Sequence, residues 1–196
     1  MVDWIWFALL GYICGSIPFG LLLSKAAGLG DIRTIGSGNI GATNVLRTGN
    51  KKIAALTLFL DGLKAFVPVF TAAHWFFPLA ALAASAGALA GHCFPVWLHF
   101  KGGKGVATFI GLLFGLDWVL GLAFVALWIG SAVVFRISSL AALVASAATP
   151  VLAWLLGRSN LVVPLAVLVL VIWIMHRENI RRLLQGSEAK ISFGKE

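Results

Sequence analysis

The chain has 196 residues, of which 60% are hydrophobic and 11% charged, and its mean hydropathy is +0.98. A soluble domain is close to half apolar and about a quarter charged, so these charges are too few to solvate a globule and the composition points to an integral membrane protein. The formal net charge of +8 is one mark of nucleic-acid binding, but proteins of that class are not this apolar. It is better read as orientation, because Lys and Arg collect on the cytoplasmic side of membrane proteins.

The N-terminal MVDWIWFALL has no basic region ahead of its apolar run. It reads as a first membrane helix and not as a cleaved signal. A spanning helix needs roughly 20 mostly apolar residues, and seven segments are candidates: 4–24, 53–72, 79–98, 105–116, 118–135, 138–156 and 161–177. The predicted fold is all-α, a polytopic membrane protein of seven transmembrane helices, folded as a single domain over 1–196. The segment 105–116 is short and meets its successor at Asp117. It is tilted, begins inside the preceding loop, or is a buried half-helix; a re-entrant hairpin of the two segments would leave the topology's parity intact. No internal repeat, low-complexity tract or soluble domain interrupts the pattern.

Basic residues then fix the orientation. Lys25, Arg33, Arg47, Lys51 and Lys52 fall in the first long loop, Lys101 and Lys104 after the third segment, and Arg136 after the fifth. Arg177, Arg181, Arg182, Lys190 and Lys195 lie in or near the tail. Alternating crossings put all of these on one face, with only Arg158 in a loop on the other. That face is cytoplasmic by the positive-inside rule, with the N-terminus outside and the C-terminus cytoplasmic. Three polar stretches fall on it: the loop 31–52, GHCFPVWLHFKGGKGVAT at 91–108, and HRENIRRLLQGSEAK at 176–190.

In the first stretch, Gly36, Gly38 and Gly41 spell GxGxxG with Asp61 about twenty residues on, a mimic of a dinucleotide fingerprint. The context rejects it, since no strand precedes the loop and Asp61 falls within the second helix. Its physical content stands: glycines let backbone N–H groups approach an anion, Ser37 or Asn39 can cap a short helix over ATNVLR, and Arg47 adds a bidentate charge. The bland alternative is a flexible linker with a helix cap. In the second stretch, Gly102, Gly103 and Gly105 surround Lys104 ahead of a helix. This is not a Walker A loop, but N–H groups and a lysine at a helix start follow the same logic; the alternative is plain positive-inside anchoring. In the third, His176 and Asn179 are i, i+3 and share a face, while Glu178 can pair with Arg181 or Arg182 across one turn. Asp61 and Lys64, i, i+3 in the second helix, are costly at that depth and read as a buried structural pair before a proton path. Cys14 and Cys93 are isolated packing thiols. His74, His92, His99 and His176 form no metal-ligand set with nearby carboxylates, so no metal is expected.

Together the stretches GSGNIGATNVLRTGN, GHCFPVWLHFKGGKGVAT and HRENIRRLLQGSEAK resemble, in order, spacing and membrane setting, the three motifs of the bacterial acyl-phosphate:glycerol-3-phosphate acyltransferase family (PlsY). The resemblance runs over essentially the whole chain, with no departure inside the motifs. It implies a seven-helix fold and transfer of a fatty acyl group from acyl phosphate to the 1-hydroxyl of sn-glycerol 3-phosphate. The products are 1-acyl-sn-glycerol 3-phosphate and phosphate, in the first step of phospholipid synthesis, at the cytoplasmic face of the bacterial inner (plasma) membrane. No cofactor is implied. Implied partners are the two substrates, the lipid bilayer and, transiently, the soluble enzyme that makes acyl phosphate; nucleic acid is not among them. By motif, Ser37, Arg47, Lys104, His176 and Asn179 are catalytic. Substrate binding falls to these together with Gly38, Asn39, Asn44, Gly102, Gly103 and Gly105, and Glu178 is structural.

The implied chemistry fits the residue types. Two dianions roughly 6 Å apart repel by about 11 kcal/mol at an effective dielectric of about 20, which Arg47, Lys104 and two glycine-rich helix starts can offset. An acyl phosphate is a mixed anhydride and already activated, and no motif Ser or Cys has an evident base and orienting partner. Direct transfer is therefore expected. His176 is one candidate for the hydroxyl proton; the donor phosphate is the favoured one, because a histidine among anions tends to be protonated. The His-x4-Asp pattern of other glycerolipid acyltransferases is absent: Leu79, Trp97, Lys104 and Arg181 lie five residues after the histidines. The competing class is a small organic-phosphate transporter. Its usual pointer, a repeat with paired broken helices, is missing.

Overall fold

The computed structural model describes residues 3–191, and every regular element among them is helical. Lys195 lies outside the described residues. In order, the helices are α1 (Asp3–Gly15), α2 (Phe19–Ala26), α3 (Ala42–Leu46), α4 (Lys51–Trp75), α5 (Pro78–Cys93), α6 (Val106–Leu116), α7 (Trp118–Phe135), α8 (Ser138–Leu155), α9 (Ser159–Met175) and α10 (Arg177–Leu184). Single turns of 3-10 helix occupy Ile32–Thr34 and Val96–Leu98.

Each predicted segment is helical, but three are broken: 79–98 stops as α-helix at Cys93 and continues only as the 3-10 turn Val96–Leu98. The first splits into α1 and α2 at Pro18, which has no N–H to continue the ladder. The last ends at Met175 and resumes as α10 after a bend of 64°. Among the described residues, five segments are long and apolar enough to cross a membrane: Trp4–Ala26, Lys51–Trp75, Pro78–Leu98, Trp118–Phe135 and Ser138–Leu155. Taken together as one span, the bent pair α9 and α10 makes a sixth, and α6, the segment expected to be short, has 11 residues.

The chain forms two units, one up to Trp118 and one from Val119 on. In the first, α1 packs on α5, and α4 packs on α5 and α6. The α1–α5 seam is made by small residues. A Cβ at Gly11 would overlap Ala84 O, one at Gly15 Ala88 O, one at Gly87 Ala8 O and one at Gly91 Tyr12 O. Small residues spaced four apart on both helices let the backbones touch, which is how helices associate where lipid removes the hydrophobic drive. Gly111 of α6 meets Gly62 of α4 in the same way. The loop between α2 and α4 has its own small core of Ile32, Ile40, Val45 and Ala54. In the second unit, α8 and α10 both pack on α9.

Candidate active site

Asn44 organises the first polar stretch. It is 2% exposed, and its Nδ2 donates to Ile32 O at 2.7 Å and Ile35 O at 3.3 Å. Its Oδ1 accepts from Ser37 N at 3.1 Å, Ser37 Oγ at 3.4 Å and Arg47 Nη1 at 3.5 Å. One buried amide thus folds the glycine loop over itself and gathers Ser37 and Arg47 about the same oxygen. Arg47 folds back over Gly36, where a Cβ would stand 2.7 Å from Nη1; Gly36 has φ +55°. The expected cap is corrected. Gly41 caps α3, without a side-chain bond, and Asn39 Oδ1 accepts instead from Gly41 N at 2.8 Å. The reason is geometric: Asn39 lies two residues before Gly41 and closes a tight turn onto it, while the Ser37 hydroxyl is turned toward Asn44.

The second stretch is also held by its backbone. Gly102 N donates to Cys93 O and Gly103 N to His92 O, each at 3.0 Å. The last carbonyls of a helix lack partners within it, and these two N–H groups supply them for α5. The amides expected to face an anion at Gly102 and Gly103 are therefore spent on α5. Gly105 takes φ +83° and caps α6. Lys104 is half-buried between these glycines.

The two stretches meet at a cleft of about 470 Å³. Arg33, Ser37, Gly38 and Asn39 line it from the first, and Leu98, His99, Lys101 and Gly102 from the second. Ser37, Gly38, Asn39 and Gly102 were expected on sequence grounds; Asn44, Arg47, Gly103, Lys104 and Gly105 are not among the lining residues. Arg33, His99 and Lys101 were not singled out for the site. Arg33 and Lys101 are visible in the sequence only as loop charges, whereas His99 enters through a left-handed backbone (φ 52°, followed by Phe100 at φ 61°) that no pattern announces. Arg33 also grips Asp31, with Nη2 to Oδ2 at 2.6 Å. Hydrogen bonds from the Arg33 side chain and backbone hold the exposed Asp31 carboxyl down to about 2.

Asp61 and Lys64 form an ion pair of 2.6 Å with side chains 3% and 2% exposed, and Lys64 Nζ donates to Ile17 O at 2.7 Å.

In the second unit, the helix break places His176 and Asn179 in buried positions, 2% and 4% exposed. His176 Nδ1 lies 2.8 Å from Ile172 O. A carbonyl only accepts, so this nitrogen carries the proton of the bond. Asn179 Nδ2 donates to Glu188 Oε1 at 2.5 Å; Ser139 Oγ donates to the same oxygen at 2.7 Å, and Arg182 Nε to Oε2 at 2.5 Å. Burial pushes the Glu188 carboxyl up, but these three donors outweigh it and hold the pKa below the ordinary value. Glu178 is exposed and pairs with Arg181 at 3.3 Å. The carboxylate enclosed by donors in this stretch is thus Glu188, half-buried, which sequence reasoning passed over; an acid just beyond the helix-ending Gly186, in reach of Arg182, was the available signal. Among the described residues no cluster of His, Cys, Asp and Glu is placed to hold a metal.

The glycerol-3-phosphate acyltransferase family model matches residues 5–186. A glycerol-3-phosphate acyltransferase of Methylorubrum populi is 59% identical over 182 residues, covering 93% of this chain and 90% of that protein. One from Brucella canis is 58% identical over 181 residues, with 92% and 90% covered. Among solved structures, PlsY (YgiH), an integral membrane glycerol 3-phosphate acyltransferase, matches in its glycerol 3-phosphate form with a TM-score of 0.92, 36% identity and 96% of both chains covered. Its lysophosphatidic acid form matches with a TM-score of 0.88 and 34% identity, covering 96% of this chain and 95% of that one. With its apolar helices, the chain is a multi-pass membrane protein, and it belongs to the glycerol-3-phosphate acyltransferase family.

Proposed function

We propose that this member of the glycerol-3-phosphate acyltransferase family takes its acyl group from an acyl phosphate. It delivers the group to the 1-hydroxyl of sn-glycerol 3-phosphate, giving 1-acyl-sn-glycerol 3-phosphate and inorganic phosphate. The observation that carries this reading is the cleft where Ser37, Gly38 and Asn39 face Gly102, rimmed by Arg33, His99 and Lys101. Basic and polar groups around one cavity suit a phosphate, and Arg47 and Lys104 add charge from the two loops that build it.

The acceptor oxygen attacks the acyl carbon, the bond from that carbon to the phosphate oxygen breaks, and the hydroxyl proton passes to the departing phosphate. His176 and Asn179 orient the acceptor. No covalent acyl-enzyme is needed: Ser37 Oγ has the amide oxygen of Asn44 beside it, not a base, and Cys93 is fully buried. Ser37, Arg47 and Lys104 hold the substrate phosphates in place, and fixing two reactants in line is itself a large part of the rate.

In this reading the chain works as one acyltransferase domain over 1–196, with seven spans, the N-terminus outside and the C-terminus in the cytoplasm. It sits in the bacterial inner membrane with its three polar stretches toward the cytoplasm, where the soluble enzyme that makes acyl phosphate can deliver the donor. The test is phosphate release by purified protein in detergent with palmitoyl phosphate and glycerol 3-phosphate, run beside palmitoyl-CoA and a Lys104→Ala variant. Release that requires both substrates, fails with the CoA donor and collapses in the variant is expected. No release from folded protein overturns the reading, and uptake of an organic phosphate into vesicles would replace it with a transporter.

A further inference from the structure

We infer that His92, backed by the buried Asp61–Lys64 pair, is a positioning residue that sets the 101–105 loop, an inference that rests on the acyltransferase reading for its kinetic effect. The reaction as described makes no use of these three groups, although ionisable groups at such depth are costly.

His92 closes α5 with its side chain 3% exposed. Its Nδ1 faces Asp61 Oδ1 at 3.9 Å, and that same oxygen takes the Lys64 ion pair at 2.6 Å. On the other side of the ring, Nε2 stands so close to Gly103 that a Cβ there would overlap it. The His92 carbonyl meanwhile accepts from Gly103 N at 3.0 Å. Gly103 is thus fixed twice by one residue, through its N–H and through the ring. The loop is zipped to the last turn of α5, and the ring that backs it is propped by α4. Lys64 Nζ anchors the other end of the pair to Ile17 O, at the break between α1 and α2. Apolar side chains would fill this space without the desolvation penalty of a buried pair. What charged and polar groups add is a fixed orientation for the ring, and hence a fixed place for the backbone that carries Lys104.

The experiment uses the full-length protein in detergent, with His92→Ala, His92→Gln, Gly103→Ala and the double variant His92→Ala/Gly103→Ala. Hydrogen exchange of peptides covering 101–106 reads the loop without the reaction. His92→Ala is expected to speed exchange there about tenfold or more while peptides from the α1–α5 seam stay unchanged. Kinetically, KM for one of the two phosphate substrates rises about tenfold, with the other within about twofold. His92→Gln, of similar reach, restores most of that rise. Gly103→Ala shows the same KM signature, and the double variant is no worse than Gly103→Ala alone, because the two changes break one contact. Unchanged loop exchange, a fall in kcat with both KM values intact, or losses that multiply in the double variant would each overturn the proposal. Should His92→Ala not fold, His92→Gln and Gly103→Ala still decide it. Wild-type protein inactive with acyl phosphate is a failure of the functional reading, and the exchange data then judge the positioning by themselves.

Discussion

Glu188 Oε1 receives the side-chain amide of Asn179 at 2.5 Å. A carboxylate accepts and does not donate, so this bond fixes which way the amide points: Nδ2 toward Glu188, Oδ1 away from it. Ser139 and Arg182 complete the shell around the same carboxylate. A single acid therefore ties the segment after α10 to the start of α8 and to the face of α10.

Removing that acid takes the acceptor from three donors. Glu188→Ala should lower stability by about 2 kcal/mol, since Ser139 and Asn179 are buried donors to a charged group while the partly exposed Arg182 can turn to water. Glu188→Gln should recover part of it, because one amide oxygen still accepts. Thermal denaturation in detergent reads both. A fall in kcat larger than the loss of folded protein would show that Asn179 orientation matters to the reaction.

The pH dependence has a definite sign. With its folded pKa held below the ordinary 4.5, Glu188 contributes stability that is fully present above that value and is lost as pH falls through it to the lower folded value. The thermal midpoint should drop on acidification below about pH 4.5, and the part due to this residue should vanish in Glu188→Gln. Equal acid sensitivity in the two proteins would refute the assignment.

Asn44→Ala should uncouple Ser37 from Arg47, since Asn44 Oδ1 is their shared partner. The carbonyls of Ile32 and Ile35 each lose one of two donors, keeping a backbone N–H from Ile35 and Gly38. A cost of about 2 kcal/mol is expected from the loss of several hydrogen bonds to one buried amide, with a higher KM for glycerol 3-phosphate. Steady-state kinetics beside a melting curve separates the two effects.

Gly105→Ala forces an L side chain to φ +83° and puts its Cβ 2.5 Å from Leu89 Cδ1. The left-handed strain costs about 1–2 kcal/mol, and the Leu89 methyl must move. The melting temperature should fall by several degrees; Val106→Ala, beside it in α6 with no such conformation, is the control.

Lys101→Ala, at the rim of the cleft, should raise KM for a phosphate substrate severalfold and flatten the dependence of KM on salt, because screening weakens exposed charges. An unchanged KM at low salt would remove the cleft's basic rim from substrate binding.

The helices were legible because hydropathy alone marks runs of apolar residues, and α7 came out at 118–135 as expected. So were the polar stretches, since charge and glycine stand out against an oily chain. The breaks were not. Pro18 interrupts a run whose hydropathy continues across it, and His176 sits in an unbroken helical pattern until the chain bends. Nor could the sequence assign the glycines' amides: Gly102 and Gly103 look like anion donors until α5 is seen to take them.

Sequence by itself determined the membrane setting, the helical class and the family motifs, because each is written in local composition and spacing. Only the tertiary structure decided that Asn44 joins Ser37 to Arg47, that Glu188 and not Glu178 is the acid bound to Asn179, that Arg33, His99 and Lys101 reach the cleft, and that His92 backs Gly103. These are contacts between residues brought together by packing and turns, and their partners are set by distance in space, which no spacing along the chain encodes.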